Sequence, residues 1–204
     1  MADAADPADV VTALTEQHQE LERALAEVLE LPAGDPRRRS RLKETAVTLA
    51  CHAAAAERHV HRAVHRYVPD DADRFVRQEI TDLLRAEETM KDLEFTDTDS
   101  GEFDPLVRRL LTRIRRHGDA EEADLFPRLR RAASPEVLAG LADAVHQVEA
   151  QAAVLRDEVR ASRRRDVLDR VLTALAEQDA PMGAYRQAEQ FDRFLTGDAE
   201  WSGM

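Results

Sequence analysis

Apolar residues recur at steps of three and four along four long stretches of this chain, while Pro and Gly, the residues that interrupt helices, number only 8 and 7 in 204 residues. Such spacing stacks side chains on one face of a 3.6-residue turn and predicts helices that each bury one side. The first stretch opens near Asp6 and Pro7, carries Val11, Leu14, His18, Leu21, Leu25 and Val28, and stops at Pro32, Gly34 and Pro36. The second, about residues 38–67, carries Leu42, Thr45, Leu49, His52, Ala56, His59 and Ala63. The third, about residues 71–94, uses Val76, Ile80, Leu83, Glu87 and Met90. The fourth starts near Asp104 with Pro105 in its first turn and runs through Val107, Leu110, Ile114, His117, Glu121 and Leu125 to Pro127 and beyond. Four amphipathic helices joined by short loops predict an all-α fold, an up-down-up-down four-helix bundle.

Two further helices are expected as a C-terminal extension packing on the bundle. Ser134 caps the first, with Val137, Leu141, Val145, Val148 and Leu155; the second begins near Asp166 with Val167, Leu168, Val171, Leu172 and Leu175. Pro181 and Gly183 break it, and Tyr185, Phe191, Phe194 and Leu195 suggest one more short helix. The expected division is therefore a bundle over residues 1–133 and an extension over 134–204.

Charge and cysteine content narrow the function. With 29 Lys+Arg against 41 Asp+Glu the formal charge is −12, which repels a phosphate backbone. The basic triplets at residues 37–39 and 163–165 sit beside helix breaks rather than along a groove-sized face, so no nucleic-acid partner is expected. The single Cys51 excludes an intramolecular disulfide, no apolar run reaches the roughly 18 residues of a membrane span, and the acidic start is unlike a signal peptide. A cytoplasmic protein without a membrane partner is the expectation.

His18, His52, Glu87, His117 and Glu121 stand on stripes that are otherwise apolar, at least one on each bundle helix. A buried ionised carboxylate costs several kcal/mol unless it is paired or bound to a cation. His117 and Glu121, four apart, leave one helix face about one turn from each other and can meet a common ion. Imidazole with carboxylate suits iron, manganese or zinc. Taken singly, each residue also reads as a hydrogen-bonded core or boundary side chain. His59, seven residues after His52, lies at the bundle end or near the site, whereas His61 and His65 are expected on a solvated face.

The stretch His117-Gly118-Asp119-Ala120-Glu121-Glu122 followed by Leu125-Phe126-Pro127-Arg128-Leu129, with Leu14-Thr15-Glu16-Gln17-His18 and Lys91-Asp92-Leu93-Glu94, resembles the hemerythrin-like (HHE cation-binding) family of non-haem iron bundles over about residues 10–159. The resemblance implies a first-helix histidine, a second-helix histidine with a carboxylate four later, a third-helix histidine with a glutamate four later, and the fourth-helix pair. His18, His52, Glu87, His117 and Glu121 match. The second-helix carboxylate position is Ala56, and the third-helix histidine position falls on Leu83.

These two gaps leave three functions open. One or two irons held by the retained ligands, with Glu87 in ligation or proton transfer, would bind O2 or peroxide and activate it, with a small organic substrate in the volume beside Ala56 and Leu83. A non-catalytic module would hold O2, nitric oxide or iron without turnover. A metal-free bundle would use its His and Glu as pairs and its extension to dock a partner.

Overall fold

A computed structural model describes residues 9–161 and 166–178. Asp9 caps α1 (Val10–Glu30), its carboxylate accepting from the Thr12 backbone N–H at 2.8 Å. The expected start at Asp6 and Pro7 lies outside the described residues. Gly34, at φ 76°, turns the chain into α2 (Pro36–Ala55), a left-handed backbone position that suits glycine. A π-helical turn, Ala56–Val60, carries α2 without a break into α3 (His61–Tyr67). A short 3-10 turn, Pro69–Asp71, then leads to α4 (Ala72–Phe95). After the loop, α5 (Phe103–Ala120) continues through a second π turn, Glu121–Leu125, into α6 (Phe126–Ala132). The chain continues as α7 (Pro135–Ala161) and α8 (Val167–Gln178).

The bundle closes in the expected order: α1 packs on α2 and α5, α4 on α5, and α3 on α4. The two long helices are both interrupted four residues after a core histidine, at Ala56 after His52 and at Glu121 after His117. Isolated π turns are costly and are found mostly where a functional site demands them.

Helix α2 is buried almost all round, with fourteen of its twenty residues in the interior. The cause is that α7 and α8 also pack on it, across the side that a plain four-helix bundle would leave to solvent. Small residues at Ala46, Ala50, Cys51 and residues 53–56 let three neighbours approach one helix. Glu94 of α4 accepts from the Leu168 backbone N–H at 2.9 Å and so caps α8 from outside, while Arg58 of the first π turn donates to the Leu175 carbonyl. The expected break at Pro181 and the short helix beyond it lie outside the described residues.

The basic triplet at residues 37–39 proves to be structural. Arg37 is exposed and pairs with the cap residue Asp35 at 2.7 Å. Arg38 is only 2% exposed and ties three chain segments together, donating to the Val28 carbonyl at 3.2 Å, to the Thr98 carbonyl and to Asp104. Its guanidinium also lies 4.8 Å from the Phe103 ring centroid. Arg39 donates to the Leu93 and Glu94 carbonyls at 3.0 and 2.9 Å, satisfying groups at the end of α4.

Candidate metal centre

His18 of α1, His52 of α2, His117 of α5 and Glu121 at the start of the second π turn are all buried, and one ligand atom from each lies within 4.8 Å of all the others. His52 Nε2 is 3.1 Å from His117 Nε2. Glu121 Oε2 is 3.3 Å from His18 Nε2 and 3.6 Å from His117 Nε2. A cation with bonds of about 2.1 Å to nitrogen and oxygen brings opposite ligands to about 4 Å, so small side-chain movements close this cluster around one ion.

Hydrogen bonds behind the cluster decide which nitrogens face it. Gln17 Nε2 donates to Glu149 Oε1 at 2.7 Å, which leaves Gln17 Oε1, 2.9 Å from His52 Nδ1, as an acceptor. His52 therefore carries its proton on Nδ1, and its Nε2 lone pair points at the cluster. On the other side, His18 Nδ1 lies 3.3 Å from Glu122 Oε1, so it too donates away from the centre. Its Nε2 then turns a lone pair toward the Glu121 carboxyl, 3.3 Å away. Among the described residues, His18 Nε2 and both carboxylate oxygens of Glu121 are buried without a hydrogen-bond partner. Orphaned acceptors converging in a core are costly as they stand, and a cation placed among them satisfies them together.

The protonation states agree with this reading. Burial holds His52 well below the usual imidazole range, with the neighbouring His18, His117 and His61 adding to the effect. Burial also lowers His18, partly offset by Glu122. Both are thereby kept in the neutral form that binds metals. Burial, followed by the charge of Glu79, pushes Glu121 up to about 8; a bound cation would reverse that shift by favouring the carboxylate.

One ring contact fixes the first ligand. A Cβ built on Gly118 would come within 3.0 Å of His18 Nδ1 and 3.2 Å of its Cγ, so the glycine beside His117 makes room for the His18 ring. Phe126 stacks parallel to that ring, with centroids 6.2 Å apart and planes 4° from parallel.

Third-helix register departs from the sequence expectation. The buried stripe of α4 is Phe75, Glu79, Leu83, Ala86, Met90 and Leu93, with Val76 and Ile80 only partly buried. Glu79, not Glu87, faces the histidines: its carboxylate is 3.1 Å from His61 Nε2 and is influenced by His117 and His18. Glu87 is buried on the same helix but does not join the cluster, standing eight residues further along, about 12 Å of helix. Anchoring on residues 91–94 singles out Glu87, about two turns along α4 from Glu79. The step-of-four pair Phe75 and Glu79 was the available clue. Leu83 is buried one turn beyond Glu79, and Ala56 is buried at the mouth of the first π turn.

His61, expected on a solvated face, is 9% exposed. In an uninterrupted helix it would lie about half a turn away from His52, but the wider π turn winds it back toward the core. The same turn displaces His59 from the face shared with His52, leaving it half-buried and outside the cluster.

Four helices enclosing a buried three-histidine, one-carboxylate cluster define a metal-binding helical bundle. The hemerythrin HHE cation-binding domain matches residues 9–129, and the chain belongs to that family. Comparison with the curated proteins and with the solved structures gave no significant match. No helix among the described residues is long and apolar enough to cross a membrane.

Proposed function

We propose that this bundle holds iron at His18, His52, His117 and Glu121 and presents it to O2 or peroxide. The observation that carries the reading is the convergence of three Nε2 atoms and the Glu121 carboxyl, with the outward contacts of His52 and His18 turning their Nε2 lone pairs inward. Manganese or zinc suits the same donors. Bound iron would supply electrons to a small oxidant, chemistry that the side chains lack. The chain's own residues orient and shield: Gln17 and Glu122 hold His52 and His18 in the ligating tautomer, and burial of all four ligands keeps bulk water out. Glu121, raised to about 8, is protonated at neutral pH without a cation and releases that proton when one binds. A cytoplasmic setting, where ferrous iron is available and the buried Cys51 stays a thiol, belongs to this proposal.

A second reading, an iron- or O2-sensing module, is favoured by one contact. Glu149 stands on α7, beyond the span matched by the family, and reaches His52 through Gln17. Metal occupancy would then be felt in the C-terminal helices. The test of the primary reading is iron per chain in protein purified without chelator. His117→Ala and Glu121→Ala should each lower it sharply while His65→Ala, half-exposed and away from the cluster, should not; unchanged iron in both core variants would refute the site. Oxygen consumption accelerated by a small organic substrate would favour an enzyme, and its absence with altered hydrogen exchange in α7 on iron loading would favour the sensor.

A further inference from the structure

The outer side of α5 carries a local reversal of charge. In a chain with 41 acidic residues and a formal charge of −12, no Asp or Glu stands between Asp104 and Asp119, while Arg108, Arg109, Arg113, Arg115 and Arg116 all fall inside that stretch. Arg109, Arg113 and Arg116, spaced four and three apart, form one stripe, and Arg108 and Arg115, seven apart, lie beside it. Arg113 is half-buried and the others are exposed. We propose that this face docks a small acidic electron-carrier protein, which reduces the iron held beneath α5.

Within the chain these charges are poorly matched. Arg115 pairs with Glu22 of α1 at 2.8 Å, but among the described residues the guanidinium groups of Arg108, Arg109, Arg113 and Arg116 have no acid partner. Like charges three and four apart destabilise a helix, so the stripe weakens α5 in isolation and is relieved by an oppositely charged surface. The face is also uncovered: α7 and α8 pack on α1, α2 and α4, whereas α5 meets α1, α4 and its own continuation. A nucleic acid fits less well, since an extended polyanion would run past the stripe onto a molecule of net negative charge. The stripe covers residues 108–116, eight helical steps or about 12 Å, which suits the small contact areas of transient redox encounters.

Position points to an electron carrier. Of the helices that hold the ligands, α2 is buried almost all round and α1 packs against α7. Helix α5 carries His117, leads directly into Glu121, and keeps its outer side open. Arg116 is the residue next to His117. A carrier seated on the arginines is therefore separated from the cluster by a single helix, about 10 Å across. Iron that gives electrons to O2 or peroxide must be resupplied before it can do so again. In that resupply the reduced carrier is oxidised by one electron and ferric iron becomes ferrous, with no covalent bond made or broken.

This inference rests on iron being held at His18, His52, His117 and Glu121, and its test keeps the two apart. A plant-type [2Fe–2S] ferredoxin with an acidic surface would be titrated, oxidised, into the iron-loaded full chain and into the metal-free chain, with binding read by calorimetry. Both should bind, and binding should weaken about tenfold or more as salt rises through about 0.1 M, where charges more than about 10 Å apart are screened. Arg109→Glu with Arg116→Glu should weaken it about tenfold or more at low salt, and Arg109→Gln with Arg116→Gln, which adds no charge, should weaken it less. Arg62→Glu with Arg66→Glu, exposed on α3 and equal in net charge to the first pair, should bind like the parent. Reduced ferredoxin, mixed anaerobically with the ferric protein, should reduce the parent about tenfold faster than the Arg109→Glu, Arg116→Glu variant. No binding by the parent at low salt, equal losses in the α3 and α5 variants, or duplex DNA binding as tightly as ferredoxin would overturn the docking face. Binding that follows the stripe without faster reduction would overturn the electron-carrier role. A parent that binds ferredoxin but no iron would refute the metal centre, and the reduction with it, while the docking face stands.

Discussion

Replacing Gly118 with alanine adds one methyl group between two metal ligands, and two effects of that methyl oppose each other. Within a helix, alanine is favoured over glycine by about 1 kcal/mol, and Gly118 lies inside α5. The new Cβ, however, would sit 3.0 Å from His18 Nδ1 and 3.2 Å from its Cγ. Comfortable contact requires about 3.5–4.0 Å, so the His18 ring must retreat by about half an ångström. Metal sites tolerate errors of about 0.2 Å in ligand distance. The displaced ring also strains the contact of Nδ1 with Glu122, 3.3 Å in the parent. Disturbing an orienting partner of this kind costs about 10–100-fold in metal affinity. The variant should therefore melt at or slightly above the parent as apoprotein, yet bind ferrous iron about 10–100-fold more weakly in an anaerobic calorimetric titration. Parent-like affinity would refute the claim that Gly118 positions His18 as a ligand, and a large loss of apoprotein stability would show that the contact governs packing instead.

Removing the outer hydrogen bond at Gln17 by Gln17→Leu, which frees the His52 tautomer, should weaken metal binding about tenfold or more in the same titration, with fold content by circular dichroism unchanged. Arg38→Ala should cost about 3 kcal/mol in urea unfolding because it strips donors from two carbonyls and Asp104, and Arg38→Lys should not restore it, since a single ammonium cannot span the three acceptors. Glu94 is raised from 4.5 to about 7, chiefly by burial, so between those values the folded protein binds more protons than the unfolded chain and stability falls as pH rises. Glu94→Gln should remove that slope and be more stable than the parent at pH 8 by up to about 3 kcal/mol, read from urea unfolding at pH 5 and pH 8; equal slopes would contradict the buried environment of Glu94.

The bundle was legible because its evidence is periodic: Leu14, Leu21 and Leu25, or Leu110 and Ile114, report a buried face at any register error smaller than a turn. The site was legible where helices run straight up to it. His18, His52, His117 and Glu121 lie on faces that regular geometry carries to the centre. What failed depended on departures from regular geometry. Nothing in residues 56–60 announces a π turn, and without it His61 points outward and His59 inward, the reverse of their actual tendency. On α4 the stripe through Val76 and Ile80 and the stripe through Phe75 and Glu79 differ by one residue, and sequence alone favoured the more apolar one. Burial of Arg38 was hidden for a different reason: its three acceptors come from α1, the loop before α5 and α5 itself, and such a convergence exists only in the fold. Likewise, nothing in the sequence joins Glu149 of the appended helix to His52, because the link passes through Gln17, which has no apolar spacing to betray it.

A metal ion seated among His18, His52, His117 and Glu121 can be located directly. Anomalous diffraction at the iron edge, from crystals of the full chain loaded with ferrous iron, locates the ion without reference to any activity. The expected result is a peak within bonding distance, about 2.0–2.2 Å, of the Nε2 atoms of His18, His52 and His117 and of a Glu121 carboxylate oxygen. Iron-loaded crystals showing no peak in the bundle core, or a peak held only by surface carboxylates while His52 Nε2 and His117 Nε2 stay 3.1 Å apart, would contradict it.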